Sequence, residues 1–445
     1  MDTFVLDDVL AHLREALEQG DLARAVALIE SLQPADQADL VEGLSDVEQV
    51  ALLSQLTPAD SADVLEEMED DSAAALAELL PLAHLADILD EMEADEAADV
   101  LGDLSPELAA EALREMEEPH GIIPLLQYPD DTAGGLMTPA VIALRRHWRA
   151  QRALEELRRI GPDADSAYYL FVTNREGILI GVVRLRDLVV APPETVVEAM
   201  MDPNVVSVPV TADQEDCART LSRYGFLALP VVDEEGRLAG VITADDLIEV
   251  AEDEATEDMY RMVGISGEEQ VFSPVRSSVL KRLPWLAINM VTLFVAITVV
   301  DAFEVVIAGT VALATFLPLV SGEGGNAGSQ TATVIVRGLA LGEVDLGNGL
   351  RALGKELVAS LVNGAVIGLG TGLVVYAWKA DLAISAALAL AMVLNFLVAA
   401  LAGVLVPLGL RLMKVDPALA SAAFVTALTD TLGFLFFLGI ASMLL

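Results

Sequence analysis

Cationic side chains are scarce. The 445 residues include 25 Lys and Arg against 69 Asp and Glu, a formal net charge of −44. Such acidity excludes nucleic acid and an anionic membrane surface as electrostatic partners, and it suits cations. Cysteine is nearly absent. The single Cys217 excludes an internal disulfide framework and a cysteine zinc site, and reads as a small helix residue in a reduced compartment. Met1–Leu10 holds three Asp and no basic cluster, so no signal peptide is expected. No phosphate loop of the GxxxxGK(S/T) type occurs, which argues against an ATP-driven pump. The four His residues (His12, His84, His120, His147) form no ligand cluster, and no nucleophile–base pair stands out. An enzyme is therefore not expected.

What is present is segregated. In Met1–Glu118 there are 33 Asp and Glu against Arg14, Arg24 and Arg114, whereas the last third is rich in long apolar runs. The acidic region repeats every 12 residues, as in VALIESL from Val26, ADLVEGL from Ala38, VALLSQL from Val50 and ADVLEEM from Ala62. Each unit makes about two helical turns, too few to fold alone, so the units must stack into a superhelix with a polar outer face. Acids such as Glu66, Asp90, Asp95 and Asp99 then share one surface. It is either a solvated face or a cation-dependent contact.

A duplicated module follows. GILIGVVRLRDLV at Gly177–Val189 matches GRLAGVITADDLI at Gly236–Ile248, 59 residues later. Each copy is preceded by a β-rich run (AYYLFVTNREG; FLALPVVDEEG) and a helical pattern (Gln151–Arg159; Gln214–Tyr224). The pattern resembles a tandem pair of CBS domains. That resemblance implies a cleft for an adenine nucleotide such as ATP, with Asp187 and Asp246 at the ribose positions. On the residues alone, each Asp is equally a helix N-terminal cap. The second copy runs into Leu247–Val263, where Glu249, Asp253 and Glu257 lie one turn apart. Like charges at that spacing destabilise a helix unless solvent or a divalent cation screens them.

Five apolar spans are expected: Leu283–Val300, Val305–Val320, Leu357–Trp378, Ile384–Leu410 and Leu419–Leu445. Eight basic residues would flank them on the side of the acidic domains and Lys379 alone on the other. That asymmetry predicts a cytoplasmic N-terminus and an outside C-terminus. Gly322, Gly324, Gly325 and Gly328 are expected to unwind the backbone after span two, exposing carbonyls near Asn326 unless the glycines serve a close helix crossing. Pro318 and Pro407 are expected to kink spans two and four. Asp430 is the only charge in the last span. A carboxylate at that depth costs a few kcal/mol or more unless it meets a partner, water or an ion, so it reads as facing a wet pathway or as a packing residue.

Three stretches, PLVSGEGGNAGSQTATVIVRGLALGE, VDPALASAAFVTALTDTLGF and DDLIEVAEDEATED, together resemble the MgtE family of magnesium channels and transporters. The resemblance implies a multidomain membrane protein: an all-α superhelical N domain (1–129), α/β tandem CBS domains (130–250), a connecting helix and linker (251–282), and an α-helical pore domain of five spans (283–445). It further implies a homodimer in the cell membrane that imports Mg²⁺ down its gradient, through a pore where Asp430 and Asn326 meet the hydrated ion. The sensing carboxylates implied are Asp213, Glu215, Asp246, Glu249, Glu254, Glu257 and Asp258, whose Mg²⁺ closes the pore. Glu323 departs from the small or hydroxylated residue expected there. Mn²⁺, Co²⁺ and Ni²⁺ remain open as cargo. The competing readings are a membrane-tethered nucleotide sensor and a proton-coupled divalent-cation carrier.

Overall fold

The structure is a computed structural model and describes residues 3–139, 141–160, 169–265, 269, 271, 275–419 and 421–445. Ala167 and Tyr168 of the first β-rich run, much of the expected linker and Ala420 lie outside the described residues. Two compact units are present, Met1–Ala251 and Glu252–Leu445.

The first unit begins with helix α1 (Thr3–Glu18). Short helices follow at the sequence period: α2 (Leu22–Ile29), α3 (Pro34–Glu42), α4 (Asp46–Leu53), α5 (Pro58–Glu66), α6 (Asp70–Ala77), α7 (Leu82–Leu89), α8 (Ala94–Asp103) and α9 (Pro106–Glu115). From α2 on, each starts 12 residues after the last. Pro34, Pro58 and Pro106 occupy first turns, where the missing N–H costs nothing. Ser45 and Glu48 form a capping box at α4. Each helix packs on the next but one (α3 on α5, α5 on α7, α6 on α8, α7 on α9), which buries residues such as Leu52, Leu65, Leu85 and Leu89 in one continuous core.

Some of the acids hold this stack together. The Glu42 carboxylate accepts from the Glu69 amide (3.4 Å), that of Glu66 from the Glu93 amide (2.6 Å), and that of Asp90 from the Glu117 amide (2.7 Å). The acceptors are spaced by two repeats, and Glu69 and Glu93 are the N-cap positions of α6 and α8. The first two carboxylates thus satisfy amides that helix N-termini leave without intrahelical partners.

The duplicated module makes two three-stranded sheets. The first is β1 (Ala143–Arg145), β2 (Tyr169–Thr173) and β3 (Leu179–Arg184), with helices α10 (Ala150–Ile160) and α11 (Leu185–Val190). After α12 (Val197–Met200), the second is β4 (Val208–Pro209), β5 (Ala228–Val232) and β6 (Leu238–Thr243), with α13 (Gln214–Tyr224) and α14 (Ala244–Met262). Both sheets pair parallel, then antiparallel, with an irregularity at the matching place (Val172/Thr173; Val231/Val232). The copies interlock reciprocally. The Leu179 amide donates to the Gly236 carbonyl and the Leu238 amide to the Gly177 carbonyl, both at 3.1 Å. Gly177 and Gly236 turn at φ +85° and +80°, a region that glycine enters without strain.

In the second unit, α15 (Val275–Ala302), α18 (Gly349–Lys379), α19 (Leu382–Leu412) and Ala423–Leu444 of α20 (Ser421–Leu444) are long and apolar enough to cross a bilayer. The protein is thus a multi-pass membrane protein. The expected span Val305–Val320 is not one helix. It divides into α16 (Glu304–Gly309), a 3₁₀ segment (Val311–Phe316) and the start of α17 (Leu317–Ala340). Helix α17 has 24 residues, about 36 Å at the α-helical rise, so it supplies the remaining element of spanning length. Pro318 lies in its first turn rather than mid-span, whereas Pro407 is inside α19 as expected.

The glycine run does not unwind. Gly322, Gly324, Gly325 and Gly328 are helical within α17, and two of them, Gly324 and Gly328, admit neighbours that a Cβ would exclude. A Cβ at Gly324 would strike the Asn395 amide, and one at Gly328 would strike Val425. Close packing through small residues outweighs glycine's low helix propensity of about 1 kcal/mol. Gly364, Gly368 and Gly372 of α18 do the same against α19 around Val393, Ala389 and Ser385. Helix α19 lies among α17, α18 and α20.

Candidate functional site

Asp430 sits in α20 where that helix meets α17. It is 4% exposed, and Ser321 Oγ donates to its Oδ1 at 2.5 Å. Within the single chain its hydrogen-bond partner is thus a hydroxyl that the sequence reading passed over. Gly325 lies against Thr426, and Gly328 against Val425 and Thr429, which draws the two helices close on one side of the carboxylate. Asn326 does not converge on Asp430. It lies on an exposed face of α17 with Gly322 and Gln330, polar groups on a helix of spanning length. Behind Asp430, the fully buried Asn395 of α19 donates Nδ2 to the Val320 carbonyl at 3.0 Å, and its Oδ1 has no partner among the described residues.

A second acidic site lies in the first unit. Helix α8 presents Asp95, Glu96 and Asp99, and β6–α14 presents Asp246. Asp95 is 6% exposed and its Oδ1 is buried without a partner among the described residues. Burial, with the Asp246 charge second, pushes its pKa up to about 8. Burial and neighbouring Asp95 push Glu96 up to about 9, and burial with Asp70 and Asp130 pushes Asp99 up to about 8. Asp246 is also raised by burial, although its Oδ2 accepts from the Thr243 amide (3.0 Å) and Oγ1 (2.5 Å) in a capping arrangement. Repetition of acids along the chain gave no sign of which ones stacking would bury, so Asp95, Glu96 and Asp99 could not be singled out from sequence.

The other acids expected to sense cations are distributed. Asp213 caps α13, accepting from the Glu215 amide at 3.0 Å, and Glu215 pairs with Arg219 at 2.9 Å. Glu249, Glu254, Glu257 and Asp258 lie along α14. Burial raises the Glu257 pKa against the lowering effect of Arg261, which pairs with both Glu257 and Asp416. Among the described residues no three acidic, His or Cys side chains converge to hold a bare metal ion.

Of the two Asp residues expected at nucleotide positions, Asp187 lines a cavity of about 340 Å³ between the two copies, with Tyr169, Phe171, Arg184, Asn204 and Phe226. Asp246 is not among its lining residues and lies instead beside the α8 acids.

Taken together, an acidic helical solenoid, a CBS-like pair and a multi-pass helical unit with a buried carboxylate define a membrane protein built to handle cations. The comparisons give the family. Residues 317–440 match the MgtE divalent cation transporter family, 32–131 the MgtE intracellular N domain, and 133–194 and 197–253 the CBS domain. The chain is 40% identical over 323 residues to the magnesium transporter MgtE of Thermus thermophilus, covering 72% of each chain. It is 36% identical over 327 residues to that of Enterococcus faecalis, covering 74% of this chain and 72% of the relative. A solved cytosolic domain of the Mg²⁺ channel MgtE in complex with ATP superposes with TM-score 0.52 at 37% identity, covering 54% of this chain and 99% of that one. The chain belongs to the MgtE family.

Proposed function

We propose that the protein admits Mg²⁺ across the cell membrane, down its electrochemical gradient, and that cytoplasmic Mg²⁺ closes the path. Two copies form the pore, with α17 and α20 at its wall. The observation that carries this reading is Asp430: a carboxylate in an otherwise uncharged apolar helix, bonded to one neutral hydroxyl, beside a helix whose exposed face carries Asn326 and Gln330. Such a group is costly in a membrane unless ions need it. Conduction requires α17 and α20 to part enough for a hydrated ion to reach Asp430, so the arrangement with Ser321 is the closed one. Relatives named magnesium transporters support Mg²⁺ as cargo. An inside-negative potential favours entry by about 4.6 kcal/mol per 100 mV for a divalent ion.

In the cytoplasm, the α8 acids and Asp246 form the principal sensor, and Asp213, Glu215, Glu249, Glu254, Glu257 and Asp258 add to it. Protonation or Mg²⁺ relieves their mutual repulsion, and the cation-bound form holds the pore shut. The N-terminus is cytoplasmic and the C-terminus outside, as the basic-residue asymmetry supports. ATP or another adenine nucleotide occupies the Asp187 cavity, a reading supported by the ATP complex of the related cytosolic domain. Mg²⁺ influx into proteoliposomes tests the core of the proposal. Asp430→Ala should fold and insert yet admit no Mg²⁺ above the empty-vesicle leak. Influx at the parent rate would remove Asp430 from the pore.

A further inference from the structure

In a chain this acidic, the first CBS copy is an exception. Residues 143–190 hold nine of the 25 Lys and Arg against six Asp and Glu. Arg145, Arg146, His147 and Arg175 line a cavity of about 390 Å³ with Thr173, Asn174 and Glu176. It lies where β1 ends and β2 turns into β3, away from the residues of the Asp187 cavity.

The wall is rigidly built. Arg145 is half-buried, and its Nη1 donates to Thr173 Oγ1 at 3.1 Å and to the Asn174 carbonyl at 2.6 Å. Those two bonds orient the guanidinium, whose Nε and Nη2 donors they leave unused. Asn174 Oδ1 accepts from the amides of Glu176 (2.8 Å) and Ile178 (3.0 Å), which fixes the turn. Arg146 is anchored by Glu198 at 2.6 Å. Glu176 is the one acid of the lining, and Asn174 Nδ2 donates to it at 3.1 Å.

The duplication supplies a control within the molecule. Equivalent positions are 64 residues apart up to α10 and α13, and 59 apart from β2 and β5 onward. The second copy has Pro209, Val210 and Thr211 where the first has Arg145, Arg146 and His147, and Glu234 where the first has Arg175. The two sheets nevertheless share order, register and irregularity. The fold itself therefore does not require these cations.

We infer that this cavity is a second ligand site, which binds the phosphate group of a small molecule. Guanidinium forks match phosphate oxygens in geometry and charge, and a concave cavity of this size suits a small molecule better than a flat acidic protein face. The ligand is either a free phosphate compound or the headgroup of an anionic lipid.

Titration calorimetry on the full chain in detergent tests the site, with pyrophosphate and short-chain phosphatidic acid as probes. Arg175 is exposed, so Arg175→Gln leaves the fold intact. Loss of one charge-assisted contact should weaken pyrophosphate about tenfold in Arg175→Gln, with Asp187→Ala unchanged. Binding of phosphatidic acid alone, weakened by Arg175→Gln, would identify the source as lipid. Binding of neither probe would overturn the inference. So would binding that is indifferent to Arg175→Gln, or that is lost in Asp187→Ala.

Discussion

At the α8 acids, protons and divalent cations compete for the same oxygens. Burial lifts Asp95 to about 8, Glu96 to about 9 and Asp99 to about 8, whereas an unfolded chain releases these protons near pH 4. The folded state thus holds protons that the unfolded state has already lost. Without a divalent cation, stability of this region falls as pH rises from about 4 to about 9, and levels off above. Metal ligation needs the deprotonated form, so Mg²⁺ affinity should rise across the upper part of that window, by up to about tenfold per pH unit for each proton released. Asp95→Asn preserves volume and removes one titrating carboxyl. We expect it to raise the Mg²⁺ concentration for half-protection about tenfold or more at about pH 8, and to lower the pH slope by about one proton. Limited proteolysis of the full chain, run across Mg²⁺ at about pH 6.5, 7.5 and 8.5, reads both quantities, since that range climbs from below the competing pKa values into them. A midpoint that ignores pH, or that Asp95→Asn leaves in place, would refute the reasoning.

Gly328→Val forces a branched side chain into Val425 and should cost about 1–3 kcal/mol, seen as a lower Tm in detergent; an unchanged Tm would mean that α17 and α20 are not so close. Glu66→Ala removes the acceptor for the Glu93 amide and should destabilise the solenoid by about 1 kcal/mol in urea, while a neutral result would demote the repeated carboxylate–amide bonds to ornaments. Asp187→Ala should weaken ATP in equilibrium dialysis while Asp246→Ala does not; equal losses would place both residues at the nucleotide.

Much of the architecture was legible because it follows from periodicity. The 12-residue spacing of VALIESL-type units reappears as the spacing of the starts of α2 to α9, and the 59-residue match reappears as two equivalent sheets. Reading glycine as a local property failed. Gly322 to Gly328 looked like a break, yet Asn395 and Val425, far away in sequence, turn Gly324 and Gly328 into a packing surface. The error in span two has a related cause, since apolar content alone cannot separate a 3₁₀ turn at Val311–Phe316 from a helix. At the sites, Asp430 is conspicuous as a lone charge, but its partner Ser321 is 109 residues away and ordinary in composition. Asp95, Glu96 and Asp99 are three acids among 33, and only the stacking of α8 distinguishes them.

The most direct test is the current carried by Mg²⁺ across a patched membrane containing the protein, with the face of the N-terminal domains perfused. The account predicts a current that flows when that face sees little Mg²⁺, falls as Mg²⁺ rises there, and is missing in Asp430→Ala at every concentration. A current of equal size in Asp430→Ala, or one that does not respond to Mg²⁺ on the N-terminal face, would contradict it.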